Sequence, residues 1–143
     1  MKYLLLIVTI GIALIGYGVA TTGIKTDTSA PITQGPSEEV LRKLSRQALA
    51  GRPAFDNFCA SCHGGAAEGT KQGPPLVHKT YNPGHHADEA FTRAVRNGVK
   101  QHHWRFGDMP ARPEVSDGEI PKIVSYVREL QEASGIFYQP HSM

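Results

Sequence analysis

The only two cysteines of the chain, Cys59 and Cys62, are separated by two residues, and His63 follows directly. On a helix, two thiols at this spacing lie about one turn apart, and the next residue directs its imidazole to the same side. This is the attachment pattern of c-type haem, in which each thiol binds one vinyl group and the histidine binds the iron. The motif predicts that Cys59 and Cys62 hold one haem c covalently and that His63 is an axial ligand.

Three other uses of these cysteines stay open at this point. A thiol–disulfide oxidoreductase would need the pair between a strand and a helix, and strand patterns are scarce in this chain. A zinc site would lack a second pair of ligands. A structural disulfide across so small a loop would stabilise the fold little. Haem attachment is favoured over all three.

The chain has 143 residues, of which the first 24 do not resemble a globular segment. The remainder is long enough for one small domain but not for two. Glycine and proline are frequent, at 15 and 10 residues, which is typical of short helices joined by irregular loops. We therefore predict one all-α domain at residues 37–135, followed by a C-terminal tail at residues 136–143.

The N-terminal segment carries no charge from residue 3 to residue 24. As a helix it would be roughly 33 Å long, enough to cross the hydrocarbon core of a bilayer. We expect residues 1–24 to be a transmembrane anchor or uncleaved signal, with cleavage near Ala20 as the alternative. Lys2 marks the cytoplasmic end, so the domain would lie outside, on a flexible tether at residues 25–36. The expected location is a bacterial inner (cytoplasmic) membrane, with the domain facing the periplasm.

The first helix is predicted to begin after Ser37, which is a good helix cap, with Glu38 and Glu39 in the first turn. Apolar residues then recur at helical spacing, at Val40, Leu41, Leu44 and Ala48. Gly51 and Pro53 are expected to interrupt this helix, and a second short helix is expected from Pro53 to the cysteines.

The last helix has a clear start signal. Ser116 and Glu119 match a capping box, and Pro121 is tolerated only in a first turn, so the helix should begin between Ser116 and Gly118. Its apolar residues lie three or four positions apart and would form one face: Ile120, Ile123, Val124, Val127 and Leu130.

A haem that carries electrons needs a second axial ligand, and methionine raises the reduction potential relative to histidine. Two of the three methionines are the first and last residues, which leaves Met109. Met109 lies in a Gly/Pro loop, where Pro110 restricts it to an extended conformation. We predict Met109 as the sixth ligand, with His102 or His103 as the alternatives.

Taken in chain order, the motifs of residues 51–131 resemble those of class I cytochromes c. The matching residues are Gly51, Phe55, Cys59-Ala60-Ser61-Cys62-His63, Gly73-Pro74-Pro75-Leu76, Ala94-Val95-Arg96-Asn97-Gly98, Met109-Pro110 and Tyr126. The resemblance implies a small class I cytochrome c domain, with three to five short helices and long loops around one haem. It also implies that the Pro74 carbonyl accepts a hydrogen bond from His63, and that Tyr126 packs the last helix against the first.

The predicted haem pocket comprises Pro74, Leu76, Tyr81, Trp104, Arg105 and Tyr126. Trp104 and Arg105 lie outside the general family pattern. Trp104 would cover a face or edge of the haem, and Arg105 or a histidine would bond a propionate. An alternative use of the unusual histidines is a second metal site, with copper as the candidate, between His85/His86 and His102/His103.

The net charge of +2 gives no indication of nucleic-acid binding. Residues 69–107 are more basic, with six Lys/Arg, two Asp/Glu and five of the seven histidines. This stretch is either a solvated surface or a basic docking face for an acidic redox partner.

The expected function is electron transfer without enzymatic catalysis, because no nucleophile or acid–base pair stands out in the sequence. Both axial positions would be filled, and electrons would pass through the haem edge near the cysteines to redox partner proteins on the outer face of the membrane. The alternative is a haem-carrying subunit of a larger membrane oxidoreductase complex, docked through the anchor and the tail. A gas-binding sensor is a third possibility, which requires an open or displaceable sixth position.

Overall fold

The computed structural model describes residues 35–140, so the expected anchor at residues 1–24, most of the tether and residues 141–143 lie outside the description. The helices are α1 (Glu38–Lys43), α2 (Arg46–Phe58), α3 (Ala60–His63), α4 (Asp88–Asn97) and α5 (Ile120–Ala133), with a 3-10 turn at Lys79–Tyr81. Between residues 35 and 140 there is no strand, only an isolated bridge between Val99 and Met109. The all-α prediction is confirmed. None of the described helices has the length and apolar character needed to cross a membrane.

The break between α1 and α2 lies at Leu44 and Ser45, and the prediction that Gly51 and Pro53 interrupt the helix was wrong. The Oγ atom of Ser45 accepts a hydrogen bond from the N–H of Ala48 at 3.1 Å and so caps α2. Pro53 lies inside α2. A proline removes one donor from a helix, and here the packing of α2 outweighs that loss.

Gly51 lies where α2 crosses α5. It is buried, and a Cβ atom on it would overlap the carbonyl oxygen of Lys122. One turn further along α2, the ring of Phe55 packs against that of Tyr126, with centroids 5.2 Å apart and neither residue exposed. Tyr126 therefore joins the last helix to the helix that precedes the cysteines, as the resemblance implied. The glycine is required for close packing and does not end the helix.

The start of α5 is stabilised by the predicted pair of Ser116 and Glu119. The carboxylate of Glu119 accepts hydrogen bonds from the Ser116 N–H at 2.9 Å and from its hydroxyl at 2.6 Å. The helix itself begins at Ile120, so the predicted start between Ser116 and Gly118 was wrong: those residues form a turn before the helix, and Pro121 lies in its first turn. The predicted apolar face is buried: Ile120, Ile123, Val124, Val127 and Leu130 are each at most 6% exposed.

Candidate haem site

The short helix α3 carries the haem motif. Its first turn begins at Cys59, whose carbonyl accepts a hydrogen bond from the N–H of His63 at 2.9 Å. Cys59 and Cys62 are half-buried free thiols, whereas the His63 side chain is buried. Burial raises the pKa of Cys59 to about 11, so its thiol is protonated at neutral pH. A thiol–disulfide oxidoreductase needs a cysteine whose pKa is lowered towards neutrality. The raised pKa of Cys59 therefore disfavours a role of the two cysteines in disulfide exchange.

The imidazole of His63 is oriented by the backbone of the next loop. Its Nδ1 lies 2.8 Å from the carbonyl oxygen of Pro74, the contact that the resemblance implied. Since a carbonyl can only accept, Nδ1 carries the proton and the Nε2 lone pair is left for a metal. Burial lowers the pKa of His63, which favours the neutral imidazole that metal ligation requires.

The loop that carries Pro74 is held directly against the haem motif. A Cβ atom on Gly73 would lie 2.9 Å from the carbonyl oxygen of Cys62, closer than real Cβ contacts allow. The hydroxyl of Thr70 donates to the same carbonyl at 2.7 Å. The absence of a side chain at Gly73 therefore lets the loop approach closely enough for Pro74 to reach His63.

A cavity of about 630 Å³ opens beside the motif. Its wall includes Cys59 and His63 from the motif and Met109 from the opposite loop. The apolar part of the wall comes mainly from α2, α4 and α5 and from the segment after α4: Phe55, Leu76, Ala90, Phe91, Ala94, Val95, Val99, Ile123, Val124 and Val127. Its volume and apolar lining suit one large, flat, apolar cofactor.

The structure brings most of the predicted pocket residues to this region. Leu76 and Tyr81 line the main cavity. Pro74 and Trp104 line an adjoining cavity of about 70 Å³, which shares His63 and Met109 with the larger one. Two residues belong to neither wall. Arg105 is exposed, and Tyr126 lies behind the site, where its hydroxyl donates to the carbonyl of Gly65 at 2.9 Å.

Met109 is fixed by its backbone. Its N–H and carbonyl each bond to Val99 at 2.9 Å, which closes residues 100–108 into a loop. Gly98 ends α4 with φ of +71°, and a Cβ atom on it would overlap the Met109 carbonyl oxygen. The half-buried Met109 side chain lines the same cavity as His63. The alternative ligand His102 also lines this cavity, whereas His103 does not.

Trp104 provides a buried donor at this end of the site. Its indole N–H is buried and makes no hydrogen bond of normal geometry to any residue between 35 and 140. The indole lies close to the hydroxyl of Tyr81. Burial raises the pKa of Tyr81, and the nearby indole N–H offsets part of that rise. A carboxylate group of a haem would satisfy this donor. The residues present therefore fit a haem: two thiols, a correctly oriented imidazole, a thioether, an apolar cavity and a buried indole N–H.

The chain segment between α3 and α4 forms part of the cavity wall, and two side chains of α5 are hydrogen-bonded to its backbone. The buried Gln131 donates from Nε2 to the carbonyls of Leu76 and Tyr81, at 2.7 and 3.1 Å. Arg128 donates to the carbonyl of Tyr81 at 2.7 Å and to the carbonyl of His86. These bonds satisfy carbonyl groups of a loop that has little secondary structure of its own.

Sequence reasoning missed both of these residues. Gln131 lies seven positions after Val124 and four after Val127, so it shares their buried face, and this spacing was the available signal. Arg128 gives no such signal, because an arginine on a helix is usually solvated. Its side chain is only 11% exposed and also pairs with Asp88 at 2.7 Å.

The model of the cytochrome c family matches residues 48–131 of the chain. Since this match covers more than half of the chain, the protein belongs to the cytochrome c family. Members of this family bind covalently attached haem c with its iron, and Cys59, Cys62 and His63 form the corresponding CxxCH motif. Comparisons with curated proteins and with solved structures gave no significant match.

Proposed function

We propose that the protein is a monohaem electron carrier in which His63 and Met109 are the two axial ligands of the iron. The observation that carries the proposal is that both side chains line one cavity, beside Cys59. With both axial positions filled, no substrate reaches the metal, and the haem supplies one-electron chemistry between two oxidation states of iron.

The side chains of this protein would hold and tune that centre. The Pro74 carbonyl, 2.8 Å from Nδ1 of His63, fixes the ring and raises the basicity of the ligating nitrogen. The apolar wall from α4 and α5 excludes water from the haem. With little water present, the surroundings of the iron rearrange little when its charge changes. The methionine ligand favours a higher potential than a second histidine would.

We further propose that the domain is tethered outside a bacterial inner membrane by residues 3–24 and exchanges electrons with acidic redox partners. The uncharged length of that segment supports the tether. Arg93 and Lys100 line the cavity, and Arg93 is exposed on α4. Lys100 is paired with Asp108 at 2.6 Å, so Arg93 is the cation at the rim that would steer an acidic partner towards the redox centre. A transfer rate that falls as salt rises would support this docking, and a rate independent of salt would contradict it.

The test of the ligand set is the absorption spectrum of Met109→Ala beside that of His102→Ala. If Met109 binds the iron, the first variant loses the long-wavelength sulfur–iron charge-transfer band and has a lower potential, whereas the second keeps both. Reduced wild-type protein should also bind carbon monoxide slowly. If the band persists in Met109→Ala, Met109 is not the ligand and the proposal fails. Rapid carbon monoxide binding by the wild type would also overturn the proposal, and it would favour the gas sensor.

One observation favours the alternative role as a subunit of a larger membrane complex. Phe137 and Tyr138 follow α5 and are 59% and 68% exposed. Exposed aromatic side chains are common in protein interfaces. The mass of the detergent-solubilised protein would distinguish the roles. A complex that dissociates in a Phe137→Ser/Tyr138→Ser variant supports the subunit, and a monomeric wild type contradicts it.

A further inference from the structure

Four histidines from two separate loops lie together at one end of the haem cavity. His85 and His86 precede α4, and His102 and His103 belong to the loop closed by the bridge of Val99 and Met109. The rings of His85 and His103 have centroids 5.1 Å apart, and those of His86 and His103 are 5.0 Å apart. One ligand nitrogen from each of these three residues lies within 4.8 Å of the others.

The spacing within this group is that of ligands on a common metal ion. The Nε2 atoms of His85 and His103 are 3.2 Å apart. Two nitrogens bound to one metal at about 2.0–2.1 Å would be about 2.9 Å apart at a right angle and about 3.4 Å apart in a tetrahedron. The observed separation lies between these values, so a metal ion could bind both nitrogens with little movement of either ring.

In His86 and His102, Nδ1 is hydrogen-bonded to a backbone carbonyl, as it is in many metal-binding histidines. Nδ1 of His86 lies 2.9 Å from the carbonyl of Thr80, and Nδ1 of His102 lies 2.8 Å from the carbonyl of Lys100. Both nitrogens must therefore carry the proton, which leaves an Nε2 lone pair on each ring. A histidine that donates its other N–H to a backbone carbonyl is the usual arrangement around a protein-bound metal.

The loop that carries His85 and His86 is anchored on several sides. The carbonyl of His86 accepts from Arg128. The side-chain oxygen of Asn82 accepts from the N–H of Gly84 at 2.9 Å and from that of Gln139 at 3.2 Å. The ligand nitrogens are therefore held by the fold, which lowers the entropy lost when they bind an ion.

The rival role for these histidines is to bond the haem propionates. Among residues 35–140, the metal-ligand cluster contains only histidines and no carboxylate. Imidazole nitrogens that lie this close together suit a shared cation better than they suit an anion.

We propose that His85, His86 and His103 form a second metal site, separate from the haem iron, for a divalent transition-metal ion. Three imidazole nitrogens suit Cu²⁺ and Zn²⁺, and the general order of affinities places Cu²⁺ above Zn²⁺. A water molecule or His102 would complete four-fold coordination. The site depends on the histidine geometry alone and stands whether or not Met109 binds the haem iron.

The test is titration of the oxidised holoprotein with Zn²⁺ in a calorimeter, with Cu²⁺ in a parallel experiment. We expect one equivalent of Zn²⁺ to bind without any change in the haem spectrum. His103→Ala and His85→Ala should each weaken Zn²⁺ binding at least about tenfold. His78→Gln is the matched control, because His78 packs on Trp104 outside the cluster, and it should bind Zn²⁺ as the wild type does. Bound Cu²⁺ should show nitrogen splittings in its electron paramagnetic resonance spectrum.

Two results would overturn the proposal. One is the absence of stoichiometric Zn²⁺ binding by the holoprotein. The other is equal affinity for Zn²⁺ in the wild type, His103→Ala and His85→Ala, which would make the binding adventitious. If His85→Ala alters the haem potential while Zn²⁺ does not bind the wild type, the histidines serve the haem propionates instead. His103 is exposed, so its replacement by alanine leaves the fold intact and the comparison valid.

Discussion

The backbone of Gly98 lies directly against the backbone of Met109. Gly98 has φ of +71°, and a Cβ atom on it would overlap the carbonyl oxygen of Met109. Met109 is bonded at the same time to Val99 through both its N–H and its carbonyl, at 2.9 Å each. The end of α4 therefore fixes the position of the predicted methionine ligand.

Replacement of Gly98 by alanine should displace the methionine loop. With φ of +71° and ψ of −177°, Gly98 has a backbone conformation that costs a residue with a Cβ atom about 1–3 kcal/mol, and the overlap with Met109 adds to this cost. We expect a lower melting temperature together with a weaker sulfur–iron band in the absorption spectrum. Gly107→Ala is the control, since Gly107 has φ of +88° but no atom within 4 Å of its Cβ position. Equal effects of the two substitutions would show that the contact with Met109 is unimportant.

Gly51→Ala should destabilise the protein although it improves helix propensity. An alanine inside a helix gains about 1 kcal/mol over a glycine. The added Cβ atom overlaps the backbone of Lys122, which cannot rotate away, and overpacking of this kind costs about 3 kcal/mol. We expect a net loss of about 2 kcal/mol in the free energy of unfolding, measured by denaturant titration. Gly118→Ala, with nothing near its Cβ position, should change stability little, and a stabilised Gly51→Ala would contradict the close crossing.

Arg128→Met should lower stability and loosen the loop before α4. The substitution keeps much of the apolar volume but leaves the carbonyl of His86 without its Arg128 donor and the carbonyl of Tyr81 with Gln131 alone. A carbonyl that loses its partner costs up to about 1–3 kcal/mol when it is buried, and less for the half-buried His86. Amide hydrogen exchange should increase in residues 81–87. Asp88→Asn removes only the exposed partner of Arg128 and should cost at most about 1 kcal/mol, so similar effects of the two changes would refute the loop-holding role.

The pair of Ser116 and Glu119 should contribute a pH-dependent part of the stability. Hydrogen bonds from Ser116 hold the pKa of Glu119 below its usual value of 4.5. A carboxyl whose pKa is lower in the folded state stabilises the fold above its unfolded-state pKa, and the contribution disappears as pH falls through the folded-state value. The melting temperature of Glu119→Gln should therefore be lower than that of the wild type at pH 7, and the difference should shrink below about pH 4.5. A difference that is independent of pH would contradict this role.

The haem motif and the last helix were predictable because their signals are local. Cys59, Cys62 and His63 are adjacent in sequence, and one helical turn brings them together. The apolar spacing of α5 gives its buried face directly, and the expected contact between Tyr126 and the first part of the domain is present as the packing on Phe55. Gly98, where α4 ends, also agrees with the resemblance.

Interactions between distant segments could not be predicted in this way. Gly51 and Pro53 both disfavour a helix locally, yet α2 continues through them because α5 packs on its buried face. Arg128 and Gln131 bond carbonyls in loops more than 40 residues away, and no sequence pattern marks those carbonyls. The meeting of His85 with His103 likewise depends on two loops whose paths only the fold defines.

The position of α5 at the end of the domain sets an order of events during synthesis. Ile123, Val124 and Val127, which close one side of the cavity, lie more than 60 residues after the cysteines and are made later. Until α5 packs on α2, the thiols of α3 face an open groove. The covalent bonds to the cofactor therefore do not require α5 to be in place, and α5 can close over a cofactor that is already attached.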